Sequence, residues 1–133
     1  MKDISVIGCG RWGTFLGWYA ANRCPEKIKN VFLYDLKDSP NFIELRDTRK
    51  NEYLSLSDNM FLFDTLDKIL VNDTIIISIG CQHFRSLAKQ LNGYDLNGKT
   101  FLLAMKGLEA PSAKIMHDIF KEEIKQNAHV ATL

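Results

Sequence analysis

Ile4-Ser5-Val6-Ile7-Gly8-Cys9-Gly10-Arg11-Trp12-Gly13 runs a short β-branched stretch directly into a G-x-G-x-x-G turn. Thr14 to Arg23 follows with Leu16, Tyr19 and Ala20 at helical spacing, so the turn opens a helix. A glycine turn between a first strand and a first helix is the start of a phosphate-binding β-α-β unit. In that unit the first glycine permits the tight bend, the second lets backbone approach a pyrophosphate, and the third lets helix and strand pack closely. These roles fall on Gly8, Gly10 and Gly13. Amides at the start of the helix then face the phosphates, where the helix dipole favours negative charge. Arg11 either reaches a phosphate or is simply exposed. Trp12 either covers the pyrophosphate edge or packs on the sheet, and its backbone amide is the firmer contact.

Working outward, Val31-Phe32-Leu33-Tyr34 is a second apolar run closed by Asp35, 22 positions after Gly13. An acid about 20 residues beyond the glycines is expected to bind the adenosine ribose hydroxyls. A carboxylate there accepts hydrogen bonds from a free 2′,3′-diol and repels a 2′-phosphate. The expected cofactor is therefore NAD, with NADP admitted because Lys37 stands close by.

The alternation continues. Asn41 to Lys50 reads as a helix led by Pro40, with Phe42, Leu45 and Arg49 on related faces. Phe61 to Phe63 is a brief strand and Asp67 to Leu70 a short helix. Thr74 to Ile79 is apolar on both faces, as a central parallel strand is. A helix over 84–91, a strand over 100–105, a helix over 112–126 and a strand beginning at His129 complete the chain. Strands alternating with helices imply parallel β-α-β units. The expected fold is α/β, a doubly wound parallel sheet of the Rossmann type. It forms a single dinucleotide-binding domain over residues 1–133, and the chain is expected to be cut within its sixth strand.

Composition excludes several classes. The chain has 133 residues, 46% hydrophobic and 25% charged, with net charge +1. Such a balance lacks the basic excess that nucleic acid or an anionic membrane attracts. No stretch is long and apolar enough for a signal core or a membrane span. Cys9, Cys24 and Cys81 form no C-x-x-C pair, which fits a reducing cytoplasm rather than a disulfide framework or a zinc site. His83, His117 and His129 make no metal constellation, so no metal is expected. Cys81 reads as a small filler rather than an activated thiol.

Four segments together carry a resemblance: Gly8-Cys9-Gly10-Arg11-Trp12-Gly13-Thr14, Arg49-Lys50-Asn51-Glu52-Tyr53-Leu54, Gln82 after the fourth strand, and Met105-Lys106-Gly107-Leu108-Glu109. In order and spacing, nearly the whole chain resembles the N-terminal domain of NAD(P)-dependent glycerol-3-phosphate dehydrogenase. The resemblance implies cofactor contacts from Gly8, Gly10, Arg11, Trp12 and Gly13. It places adenosine beside Asp35 or Leu36, and His83 or Phe84 beside the cofactor. It sets Lys106 next to both nicotinamide and a small phosphorylated substrate. Lys106 also follows a parallel strand, and the carboxyl ends of such strands face the ligand crevice. The resemblance further implies a second, helical domain carrying the catalytic lysine, so no catalytic acid or base is expected in these residues. The full-length parent is expected to be a cytoplasmic homodimer that interconverts sn-glycerol 3-phosphate and dihydroxyacetone phosphate by hydride transfer.

The pattern departs from the family at Gly80-Cys81, where Pro-Ser is common, and at Ser55, where Pro is common. Asn51 is either a site residue or a turn former. Two rival readings are the cofactor domain of a 6-phosphogluconate or hydroxyacyl-CoA type dehydrogenase, and a nonenzymatic nucleotide-sensing module.

Overall fold

β-branched and aromatic runs separated by helices assemble into one six-stranded sheet. Its strands are β1 (Lys2–Ile7), β2 (Ile28–Tyr34), β3 (Met60–Phe63), β4 (Thr74–Ile77), β5 (Thr100–Leu103) and β6 (His129–Thr132). The computed structural model describes every residue from Met1 to Leu133. The sheet order is β3-β2-β1-β4-β5-β6, and each neighbouring pair is parallel. β1 is therefore flanked by β2 and β4, with Val6 opposite both Leu33 and Ile76. Strand order reverses at β1, which opens a crevice beyond the carboxyl ends of β1 and β4.

Five helices cover the sheet: α1 (Arg11–Arg23), α2 (Pro40–Thr48), α3 (Leu66–Ile69), α4 (Phe84–Leu91) and α5 (Met116–Glu123). Side chains alternate between two cores, as the two-residue period of a strand requires. Ile7, Ile75, Ile77, Phe101 and Leu103 pack with Phe84, Leu91 and Phe120 of α4 and α5. Val6, Val31, Leu33 and Ile76 pack on the opposite face with Ala21, Phe42 and Leu45 of α1 and α2. No helix is long and apolar enough to cross a membrane.

The buried face of α1 differs from the one its apolar spacing suggests. Gly13, Thr14, Gly17 and Ala21 meet the sheet, whereas Tyr19 is half exposed. Leu16 and Ala20 pack only partly against that core. Close approach decides the face, because a Cβ on Gly17 would lie 3.0 Å from Leu33 Cδ2 and 3.2 Å from Val31 Cγ1. The large residues are left to stack on one another, with the Trp12 and Phe15 rings 5.6 Å apart.

The last helix is shorter than the span 112–126 that its pattern suggests. Ser112 to Ile115 instead belong to a loop in which the Glu109 amide donates to Lys114 O and the Ala113 amide to Glu109 O. Ile115 pairs with Leu108 across an isolated bridge and is half exposed. At the other end Gln126 leaves the helix because its carboxamide accepts from the Leu96 amide and donates to Tyr94 O. Ile119, Phe120 and Ile124 keep the expected inward face. The second helix likewise stops at Thr48, where Arg49 turns left-handed at φ 59° and donates to Ser57 O and Met60 O.

An ion network ties α4 to the loop after β5 and to α5. Arg85 donates to both carboxylate oxygens of Glu109, at 2.7 and 2.8 Å, and to Glu122 and Glu123. Lys114 pairs with Glu122. The Arg85 guanidinium and the Ser112 hydroxyl hold the Glu109 carboxyl down to about 2, from an ordinary value of 4.5. A folded value below the unfolded one means stabilisation that is full above pH 4.5 and is lost as pH falls towards 2. We expect Glu109→Gln to flatten the acid limb of the Tm against pH profile between those values. An unchanged acid limb would show that the network contributes nothing to acid stability.

Candidate functional site

The crevice at the carboxyl ends of β1, β2 and β4 is an open cavity of about 560 Å³. Its floor is the glycine turn. Gly8 adopts φ +113°, and a Cβ there would fall 2.0 Å from Ser78 O. A Cβ on Gly13 would fall 2.2 Å from Gly8 O, so both positions exclude a side chain on steric grounds. Gly10 is the opposite case, since nothing lies within 4 Å of where its Cβ would be. The space in front of Gly10 is free, and it faces the start of α1. That helix has no side-chain cap, so its first amides are unsatisfied donors aimed outward. Just inside, the buried Thr14 Oγ1 has no hydrogen-bond partner.

Asp35 forms one wall, and its carboxylate is already held. Oδ2 accepts from the Cys9 amide at 3.0 Å and Oδ1 from the Leu36 amide at 2.8 Å. The first bond locks the glycine turn to the end of β2. Each oxygen keeps a further lone pair for a ligand hydroxyl. Burial first, and the nearby Asp35 charge second, push the Cys9 thiol up and leave it protonated. The same two causes raise the Tyr34 hydroxyl.

The facing wall comes from α4 and the 3-10 turn before it, Cys81–His83. His83, Ser86 and Gln90 line the cavity at helical spacing, with Ser78 to Gly80 at the end of β4 between the walls. Arg11 borders the crevice and also a smaller cavity of about 200 Å³ shared with Asn41, Asn51 and Glu52. Its guanidinium lies over the Tyr53 ring, 4.9 Å from the centroid, a cation-π contact that links α1 to the 50–55 loop.

The structure thus gathers Gly8, Gly10, Arg11, Trp12, Asp35, Leu36 and His83 around one cavity. Gly13 lies beneath it as a packing residue. Phe84 corrects an expectation: its side chain is completely buried in the core, because the turn before α4 points His83 outward and Phe84 inward. A side chain without exposed surface cannot touch a ligand. Lys106 is exposed beyond the end of β5 and is not among the residues lining the crevice. Asn51 behaves as a turn former, its Oδ1 accepting from the Tyr53 and Leu54 amides.

Sequence reasoning missed Asn41, Ser78, Ser86 and Gln90. Ser86 and Gln90 stand three and seven positions after His83, a polar stripe that helical periodicity makes visible. Ser78 follows the strand next to β1, where the sheet order reverses. No group of three or more His, Cys, Asp or Glu side chains is arranged to hold a metal ion.

Uncapped amides beside an open glycine suit a phosphate, and a preorganised carboxylate at the end of β2 suits a diol. The residues present fit a dinucleotide. Comparison with known proteins agrees. Residues 3–133 match the family described as NAD-dependent glycerol-3-phosphate dehydrogenase N-terminus. A glycerol-3-phosphate dehydrogenase [NAD(P)+] of Rickettsia bellii is 32% identical over 130 residues, covering 95% of this chain and 40% of the relative. Its counterpart in Sulfurimonas denitrificans is 27% identical over 124 residues, covering 93% of this chain and 33% of the relative. The chain therefore spans only about a third to two fifths of the curated relatives it matches. The crystal structure of glycerol-3-phosphate dehydrogenase from Coxiella burnetii shares the fold at a TM-score of 0.84 and 19% identity, covering 98% of this chain and 40% of that one. The family match favours this reading over the 6-phosphogluconate and hydroxyacyl-CoA classes and over a nucleotide sensor. With both the crevice geometry and the match over residues 3–133 in place, the chain belongs to the NAD-dependent glycerol-3-phosphate dehydrogenase family, as its NAD-binding N-terminal domain.

Proposed function

We propose that this chain holds the dinucleotide for a parent enzyme that interconverts sn-glycerol 3-phosphate and dihydroxyacetone phosphate. The observation that carries the proposal is the free space at Gly10 in front of the uncapped start of α1, with Asp35 held in the same crevice. When bound, the nicotinamide supplies hydride chemistry at its C4. The residues of this chain bind and orient. Amides of Arg11 and Trp12 take the pyrophosphate, Asp35 accepts from the ribose hydroxyls, and His83, Ser86 and Gln90 wall the opposite side. Lys106, exposed after β5 and free of any ion pair, brings positive charge to a phosphorylated substrate and orients its C2 oxygen. The proton at that oxygen is assigned to a lysine of a second domain, consistent with the greater length of the relatives. A cytoplasmic homodimer is the expected setting of the parent, and the three free cysteines suit a reducing compartment.

Charge beyond β2 supports NAD over NADP. Lys37, Asp38, Ser39 and Asp64 line a cavity of about 500 Å³ that adjoins Leu36, next to Asp35. Three carboxylates against one ammonium disfavour a 2′-phosphate. At an effective dielectric of about 20 and a separation of about 7 Å, one unit charge is worth about 2 kcal/mol, or over tenfold in affinity; solvent screening reduces this at the surface.

The purified 133-residue chain should bind NADH in a calorimetric titration yet show no glycerol 3-phosphate oxidation; turnover by this chain would overturn the assignment of the acid/base to a second domain. Gly10→Val should leave the Tm within a few degrees and weaken NADH binding at least tenfold, whereas Gly13→Ala should lower the Tm itself. Equal NADH affinity in Gly10→Val and the parent chain would remove the turn from the site. Asp35→Asn retains an oxygen for the Cys9 amide and should weaken NADH binding more than NADPH binding. Asp64→Asn should strengthen NADPH binding alone; equal responses of the two cofactors to both changes would refute the charge argument.

A further inference from the structure

Lys106 is not held by its own side chain, which makes no hydrogen bond or ion pair. Its position depends on the loop from Met105 to Ala110, and that loop is anchored by the segment that also lines the cofactor crevice. Gly107 turns at φ +108°, with its missing Cβ only 3.0 Å from Cys81 Sγ, so the loop backbone lies directly on the 3-10 turn. Gln82 in that turn uses both ends of its carboxamide. Nε2 donates to Leu108 O at 2.9 Å, and Oε1 accepts from the Ala110 amide at 2.9 Å. Between those two backbone partners, the Glu109 carboxylate is gripped bidentately by Arg85, three residues after Gln82. Three consecutive loop residues are thus bound by two side chains of one short segment.

We propose that Gln82, backed by the Arg85–Glu109 pair, is a positioning residue that sets where Lys106 stands relative to the cofactor crevice. The proposal rests on the reading of Lys106 as a substrate-binding residue. Gln82 and His83 are adjacent, and His83 lines the crevice, so one short turn faces the crevice on one side and the lysine loop on the other. Gln82 is itself exposed, and the two bonds it makes lie at the surface. Bonds of that kind contribute little to global stability while restricting a loop that function depends on. A substrate held between nicotinamide and Lys106 is sensitive to a shift of about 1 Å in either, which is enough for a loss on the order of a hundredfold.

The test is a double-mutant cycle in the full-length enzyme. Gln82→Met keeps the side-chain length and removes both bonds. It is expected to lower kcat/KM for dihydroxyacetone phosphate by at least tenfold, mainly through KM, with the NADH Kd within twofold and the Tm nearly unchanged. In a Lys106→Ala background the same change is expected to cost less than twofold. Gln82→Glu keeps the acceptor for the Ala110 amide but sets a carboxylate oxygen against Leu108 O in place of the donor, and is expected to lose as much as Gln82→Met. A loss below twofold on Gln82→Met in the parent enzyme, or the same full loss with and without Lys106, overturns the proposal while leaving Lys106 in the site. A Lys106→Ala enzyme with unchanged kinetics overturns the substrate-lysine reading and this inference with it.

Discussion

There is no room for a methyl group between Gly8 and Ser78 O, or between Gly13 and Gly8 O. That backbone-on-backbone contact is the constraint on which the rest depends. It brings the start of α1 against the ends of β1 and β4, so the first amides of the helix open into the crevice. The same closeness puts Gly17 against Val31 and Leu33, and it gives α1 a small-residue inner face and an aromatic outer one. Asp35 completes the arrangement by accepting from the Cys9 amide, which ties the turn to β2. One side chain thereby does two tasks: it braces the turn and presents a carboxylate at the edge of the cavity.

Much of this was legible in the sequence, for a physical reason. Glycine spacing encodes steric demands that no other residue meets, and the apolar runs at 31–34 and 74–79 encode buried parallel strands, the second of which ends two residues earlier, at Ile77. The parallel direction of the strands followed from the β-α-β rule, whereas their order, β3-β2-β1-β4-β5-β6, came from the structure. The face of α1 did not follow, because apolar periodicity reports where large hydrophobic residues recur, whereas Gly13, Gly17 and Ala21 win the contact by being small. The end of the last helix was similarly hidden. Ser112 to Ile115 fit a helical pattern, yet their backbone is engaged by Glu109 and Leu108 from a loop close in space.

Within the site, residues on the glycine turn and at the end of β2 were readable because their roles are local. His83 and Phe84 were indistinguishable from sequence, since one residue of helical rotation separates a cavity wall from the core. Arg85 carried no local signal, and Gln82 entered only as part of the family resemblance, with no role attached to it. Their partners, Glu109, Leu108 and Ala110, lie 24 to 28 positions away. Only the parallel packing of β4 beside β5 brings them together, and that packing converts two ordinary polar residues into the anchor of the lysine loop.

We propose that a dinucleotide lies across Gly10 with its phosphates on the first amides of α1. An NMR titration of the ¹⁵N-labelled chain with NADH tests this most directly. The largest amide shifts are expected on Cys9, Gly10, Arg11 and Trp12, with a second group at Asp35 and Leu36. Shifts confined to the β5–β6 edge of the sheet, or no shifts at millimolar NADH, would contradict it.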